Sequence, residues 1–188
     1  MSVDSEANAL YVVRNSATRV ETGVLMADWR LSPEGVLLTI PIAEASLWAR
    51  VAIIYHGPEL SSEQTARIIS RRWQMPTECE WDLREVLVAP WVQWQDDGGG
   101  RSVHQHLLED GQQAELRIAR CVKRLARRHA GQSFAIVAQG RILTALYSFL
   151  SGRALGQAEW QSLRSPDLSV VDLETWRVKQ GFFSQLQP

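Results

Sequence analysis

Ala9-Leu10-Tyr11-Val12-Val13 runs without a polar residue into Arg14-Asn15-Ser16-Ala17-Thr18. A short continuous apolar run followed at once by a polar turn describes a strand buried on both faces that delivers its polar groups at the carboxyl end. Two more runs repeat the pattern. Arg50-Val51-Ala52-Ile53-Ile54-Tyr55 leads into His56-Gly57-Pro58, and Ser133-Phe134-Ala135-Ile136-Val137-Ala138 leads into Gln139-Gly140-Arg141.

Helix-length segments separate these runs. Ser62 to Trp73 opens at Ser61-Ser62-Glu63-Gln64, which reads as an N-terminal cap. Gln112 to His129 carries Leu116, Ala119, Val122 and Leu125 at helical spacing, and a further helix is expected from about Arg141 to Leu150, closed by Gly152. Leu168 to Val178 alternates and reads as a last strand or hairpin. Strands alternating with helices give an α/β fold with three layers, α/β/α, around a mostly parallel sheet. Gln95 to Arg101, with three glycines, is the most loop-like stretch. It is expected to be an excursion within a single domain spanning residues 1–188.

Composition narrows the function classes. Twenty basic residues face twenty-one acidic ones, for a net charge of -1, so no overall field recruits nucleic acid. No segment approaches the ~20 apolar residues of a membrane span, and the first residues lack a basic, apolar leader. A cytoplasmic protein without nucleic-acid or membrane partners is expected. Cys79 and Cys121 read as free thiols, since they have neither CxxC spacing nor a histidine cluster beside them. His104 and His106 have i, i+2 spacing without an acidic or cysteine partner, so no metal site is assigned there, and no cofactor is expected. Arg117, Arg120, Lys123, Arg124, Arg127 and Arg128 make one helix strongly basic, as suits a solvated face near a helix C-terminus. Eight tryptophans are scattered from Trp29 to Trp176. Those left exposed would allow a homodimer.

The order of motifs resembles the histidine phosphatase superfamily, the phosphoglycerate-mutase-like fold. Leu10-Tyr11-Val12-Val13-Arg14-Asn15-Ser16 stands where that family has a strand followed by Arg-His-Gly. Asp28 to Gly35 is similar to its segment before the first helix, Gln64-Thr65-Ala66 to the Gln-Thr-Ala of its second, and Leu83-Arg84-Glu85 to the stretch bearing its acid. Ile136-Val137-Ala138-Gln139-Gly140 is similar to the second His-Gly and Pro166 to Val170 to the closing strand.

The resemblance implies a histidine nucleophile after the first arginine, a second arginine after the second strand and a second histidine at the end of the third. This chain has Asn15, Ser61 and Gln139 there. The amide nitrogen of Asn15 has its lone pair delocalised into the carbonyl and cannot carry a phosphoryl group. Each lost charge-assisted hydrogen bond removes roughly 1.5–3 kcal/mol. The expectation is therefore a pseudoenzyme with a binding or regulatory role, taking a small polar or anionic ligand or a protein partner through Arg14, Asn15, Ser16, Ser61, Gln139 and Gly140. Arg14 could instead pair with Glu85 or cap a helix. A second reading makes Glu85 and His56 the acid and base of a different reaction. A third, residual phosphomonoesterase or mutase activity, requires Ser16, Ser61 or water as nucleophile.

Overall fold

The computed structural model describes residues 8–86 and 109–186. Six strands form one mixed sheet: β1 (Ala9–Arg14), β2 (Val51–His56), β3 (Thr77–Cys79), β4 (Ser133–Ala138), β5 (Asp167–Asp172) and β6 (Val178–Gly181), in the order β3-β2-β4-β1-β5-β6. The pairings from β3 to β1 are parallel, and β5 and β6 add antiparallel strands at the other side. All three apolar runs of the sequence are strands, and the alternating tail is the β5–β6 hairpin.

Two cores explain why these runs are apolar throughout. Leu10, Val12, Phe134, Ile136 and Ala138 point to one face of the sheet, and Ala9, Tyr11, Val13, Ala135 and Val137 to the other. Period-two alternation is thus present but hidden, because both faces are covered. On the first face lie α3 (Gly111–Arg128) and α4 (Gly140–Ser151), on the second α1 (Pro33–Ala43) and α2 (Leu60–Trp73), while the short α5 (Gln157–Ser162) packs against α4.

Three details differ from the sequence reading. Helix α2 starts at Leu60, with Glu59 at its N-cap and no side-chain cap bond, so Ser61 and Ser62 lie buried inside the first turn instead of capping it. Leu116 is 50% exposed, because it stands about 200° around the helix from both Ala114 and Ile118, which centre the buried face. Arg117 leaves the solvated basic face. Its side chain is buried against Glu109 in a bidentate pair at 2.6 and 2.5 Å and donates to the carbonyls of Asp82 and Arg84. Helix α3 itself is well marked, with Asp110 and Gln113 forming a reciprocal capping box.

Helix α1 was not legible as an amphipathic helix. Ser32 accepts from Gly35 N at 2.9 Å and Pro33 sets the first turn. Its buried face is the small-residue stripe Gly35, Thr39 and Ala43. The Gln95–Arg101 stretch, His104 and His106 lie outside the described residues.

Candidate functional site

The three strand ends singled out in the sequence share one edge. Asn15 N donates to Ala138 O and Gly57 N to Val137 O, each at 3.0 Å. The chain leaves β1 toward α1 on one face and leaves β4 into α4 on the other, at the point where strand order reverses.

Arg14 ends β1, half-buried. One guanidinium nitrogen donates to Leu163 O, and Nε has no hydrogen-bond partner among the described residues. Burial lowers its pKa from the ordinary arginine value, against the opposing pull of the Glu85 and Asp167 carboxylates. The direct Arg14–Glu85 pair weighed from the sequence is absent among the described residues, whereas the helix cap is present: Leu163 is the C-cap residue of α5 (Gln157–Ser162), and Arg14 bonds its carbonyl.

Asn15 is buried and turned in on itself: Nδ2 donates to Ser16 O at 3.0 Å, while its own carbonyl accepts from Ser165 Oγ at 2.7 Å. Ser16 is fully buried. Its N–H donates to Thr65 Oγ1 at 3.0 Å and its hydroxyl to Gly35 O at 2.7 Å, so its polar groups tie β1 to α1 and α2. Ser61 is buried with Oγ unpartnered among the described residues. Gln139 occupies the N-cap of α4 without a side-chain cap bond.

Gly140 follows, and here glycine is required by space. A Cβ would lie 2.7 Å from Trp160 Nε1 and 3.2 Å from Arg14 Nε. The Trp160 indole thus covers the start of α4, and the Arg141 guanidinium sits 4.5 Å over its ring.

Glu85 is the most strongly placed group. Oε1 accepts from Val86 N and Ile142 N, each at 2.8 Å, and Oε2 from Arg141 N at 3.1 Å. Two of these three donors belong to the first turn of α4, whose unpaired N–H groups favour an acceptor. Burial nevertheless dominates and raises its pKa from 4.5 to about 7. The three N–H bonds oppose that rise, and the nearby Glu59 carboxylate adds to it.

His56 ends β2, buried, with Nδ1 2.8 Å from Gly57 O. A carbonyl only accepts, so Nδ1 is the donor in this contact.

Three contributors escaped the sequence. Glu59 Oε1 accepts from Glu85 N at 2.6 Å, and the carboxylate fits because Gly57 has no Cβ, which would sit 2.5 Å from Glu59 Oε2. That second oxygen is buried without a partner, and burial raises the Glu59 pKa. Nothing in the sequence around Glu59 signals a contact 26 residues away. Trp160 is equally silent in sequence. Arg117 had a signal: it lies three residues after Ala114 and four before Cys121, on the apolar side of its helix.

Beside these strand ends is a cavity of about 860 Å³ between α3, α4 and α5, bordered by Val86, Arg141, Thr144, Leu155 and Trp160 among others. It begins one residue past Glu85 and one past Gly140, and none of the site residues inferred from sequence lines it. His56 and Glu85 therefore do not face this space together. The group Glu80, Asp82 and Cys121 could in principle hold a metal ion. Its carboxylates are engaged with Arg124, at 2.6 and 3.1 Å.

The chain is thus a three-layer α/β/α domain with polar residues at the adjacent carboxyl ends of β1, β2 and β4. The family model for the histidine phosphatase superfamily (branch 1) matches residues 10–182. The chain belongs to that superfamily. Among solved structures it is similar to YhfR of Bacillus stearothermophilus, at 18% identity and a TM-score of 0.73, covering 95% of this chain and 97% of that one. It is also similar to a mycobacterial glucosyl-3-phosphoglycerate phosphatase, at 19% identity and a TM-score of 0.69, covering 92% and 97%. A phosphoserine phosphatase mutant of Entamoeba histolytica, solved with phosphoserine, gives 13% identity and a TM-score of 0.71, covering 95% and 98%. No curated protein matches the chain. Among the described residues no helix is long and apolar enough to cross a membrane.

Proposed function

We propose that this chain is a catalytically silent histidine-phosphatase-like domain that binds a small polar or anionic ligand or a protein partner without phosphohistidine chemistry. The observation that carries the reading is Asn15: the residue after Arg14 offers no nucleophilic lone pair, and its amide is already bonded to Ser16 O. Gln139 and Ser61, both buried, add no charge, so Arg14 is left as the cation among the inferred site residues. One arginine with a guanidinium nitrogen already committed to Leu163 O suits a carboxylate or a polar carbonyl better than a phosphate dianion. Ser16 is unsuited to replace the nucleophile, because its hydroxyl proton is held by Gly35 O.

The domain is taken as one unit, residues 1–188. A reducing cytoplasm suits the exposed free thiol of Cys79.

Release of phosphate from an aryl phosphate, measured from acidic to neutral pH for the wild type, Arg14→Ala and Glu85→Gln, tests the reading. All three at the blank rate is the expected result. Turnover by the wild type alone would overturn it.

A second reading is favoured by one observation, the Glu85 carboxyl poised at about 7. There Glu85 and His56 act as acid and base on a substrate that is not a phosphoester. A bell-shaped pH–rate profile that moves in His56→Ala supports that reading; a profile indifferent to His56 rejects it.

A further inference from the structure

Helix α4 packs against both α3 and α5, and the cavity of about 860 Å³ lies between the three. Small residues make the space. Gly111 and Ala114 border it from α3 and Ala145 from α4, where larger apolar side chains would fill it. Its volume is in the range of small-ligand sites.

Its floor is apolar and its rim is polar. Arg141, Thr144, Ala145 and Ser148, at i, i+3, i+4 and i+7, form the face of α4 toward the cavity. The two hydroxyls on that face are spent within the fold. Thr144 Oγ1 donates to Gly140 O at 2.9 Å, while Ser148 Oγ donates to Thr144 O at 3.2 Å and accepts from Leu155 N at 3.0 Å. Val86 and Leu155 complete the apolar lining. Exposed Gln112, Gln157 and Gln161 stand at the rim, each with an amide that both donates and accepts.

Charge narrows the ligand. Glu115 on α3 and Arg141 on α4 both border the cavity and are both half-buried, and neither has an ion-pair partner among the described residues. They do not pair with each other: the Arg141 guanidinium sits 4.5 Å over the Trp160 ring instead. Half-buried charges are costly without partners. Two opposite charges left open on one apolar space suit a ligand that carries the complementary charges at its own ends.

We propose that this cavity binds a short apolar peptide with free termini, its carboxylate at Arg141 and its ammonium group at Glu115. The glutamine amides match the peptide groups between the termini, and the apolar floor takes the side chains. A simple anion would leave Glu115 without a counter-charge, and a hydrocarbon would leave both charges unmatched. None of Asn15, Ser61 and Gln139 borders the cavity, so the site is independent of the reading proposed for them.

Isothermal titration calorimetry of the full chain with leucyl-phenylalanine, its C-terminal amide and its N-acetyl form tests this. The free dipeptide is expected to bind, and removal of either terminal charge to weaken binding about tenfold or more. Arg141→Gln should lose the preference for the free carboxylate and keep that for the free ammonium group, and Glu115→Gln should do the reverse. Arg120→Gln, exposed on α3 and outside the cavity, should bind as the wild type does. The comparison of the three peptides on the wild type needs no variant to fold. Absence of binding at millimolar dipeptide, equal binding of the free and capped forms, or a carboxylate preference that survives in Arg141→Gln would each overturn the proposal.

Discussion

Stability should depend on pH through the buried carboxyl of Glu85. Glu85 titrates near 4.5 in an unfolded chain and at about 7 in the folded one. Between those values the native state holds a proton that the unfolded state has released, so stability falls as pH rises through that window. Moving a carboxyl from 4.5 to about 7 corresponds to about 3 kcal/mol in total, nearly all of it lost by pH 7. The assay is urea unfolding of the wild type and Glu85→Gln at pH 5, 6, 7 and 8. Glutamine places an N–H₂ opposite Arg141 N or Ile142 N, a penalty that is constant with pH. Glu59 titrates in both proteins and cancels to first order. The wild type should therefore lose about 2–3 kcal/mol relative to the variant between pH 5 and 8, with the change concentrated below pH 7. A difference that stays constant across the series would refute the argument, because it would mean that the three N–H donors hold Glu85 near its ordinary value.

Two substitutions test the scaffold around the site. Gly35→Ala gains helix propensity of ~1 kcal/mol, yet its Cβ would press on Ala17 O, so a net loss of about 2–4 kcal/mol is expected in thermal or urea unfolding. An unchanged midpoint would show that α1 is not held as closely as the contact implies. Arg117→Ala leaves the buried Glu109 with only the longer 3.9 Å contact to Arg84 and frees the carbonyls of Asp82 and Arg84. A loss of about 3–5 kcal/mol is expected by the same measurement, and one under about 1 kcal/mol would place the pair in solvent-like surroundings.

The sheet was readable because β1, β2 and β4 are buried on both faces, which makes their apolar runs unbroken. The order of motifs located the site at their carboxyl ends for the same reason: Arg14, His56 and Gln139 each follow such a run directly. Helix α1 escaped detection because periodicity reports a contrast between two faces, and its outward face is as apolar as its inward one. Strand β3, with three residues at the sheet edge, and the six-residue α5 are too short to carry a pattern. At the strand ends, the positions of these residues were legible and their bonding was not. Arg14 and Glu85 were weighed as a pair, but their partners are backbone groups of Leu163, Val86, Arg141 and Ile142. Backbone donors carry no sequence signature. Glu59 and Trp160 reach the site only through long-range folding of otherwise unremarkable segments.

The position of β1 in the sheet sets a schedule for the growing chain. Its neighbours on either side are β4 and β5, so a strand complete at residue 14 has no partner until residue 133 emerges. At ribosomal rates that interval is on the order of ten seconds. Throughout it the nascent chain carries an apolar strand with both edges open, together with the exposed apolar side chains of α1. Loop closure over more than a hundred residues must precede the first pairing of β1, which slows folding relative to a chain built from local contacts. A central strand buried on both faces of the finished molecule is thus among the most vulnerable segments during synthesis, and binding by a holdase chaperone is most useful before β4 appears.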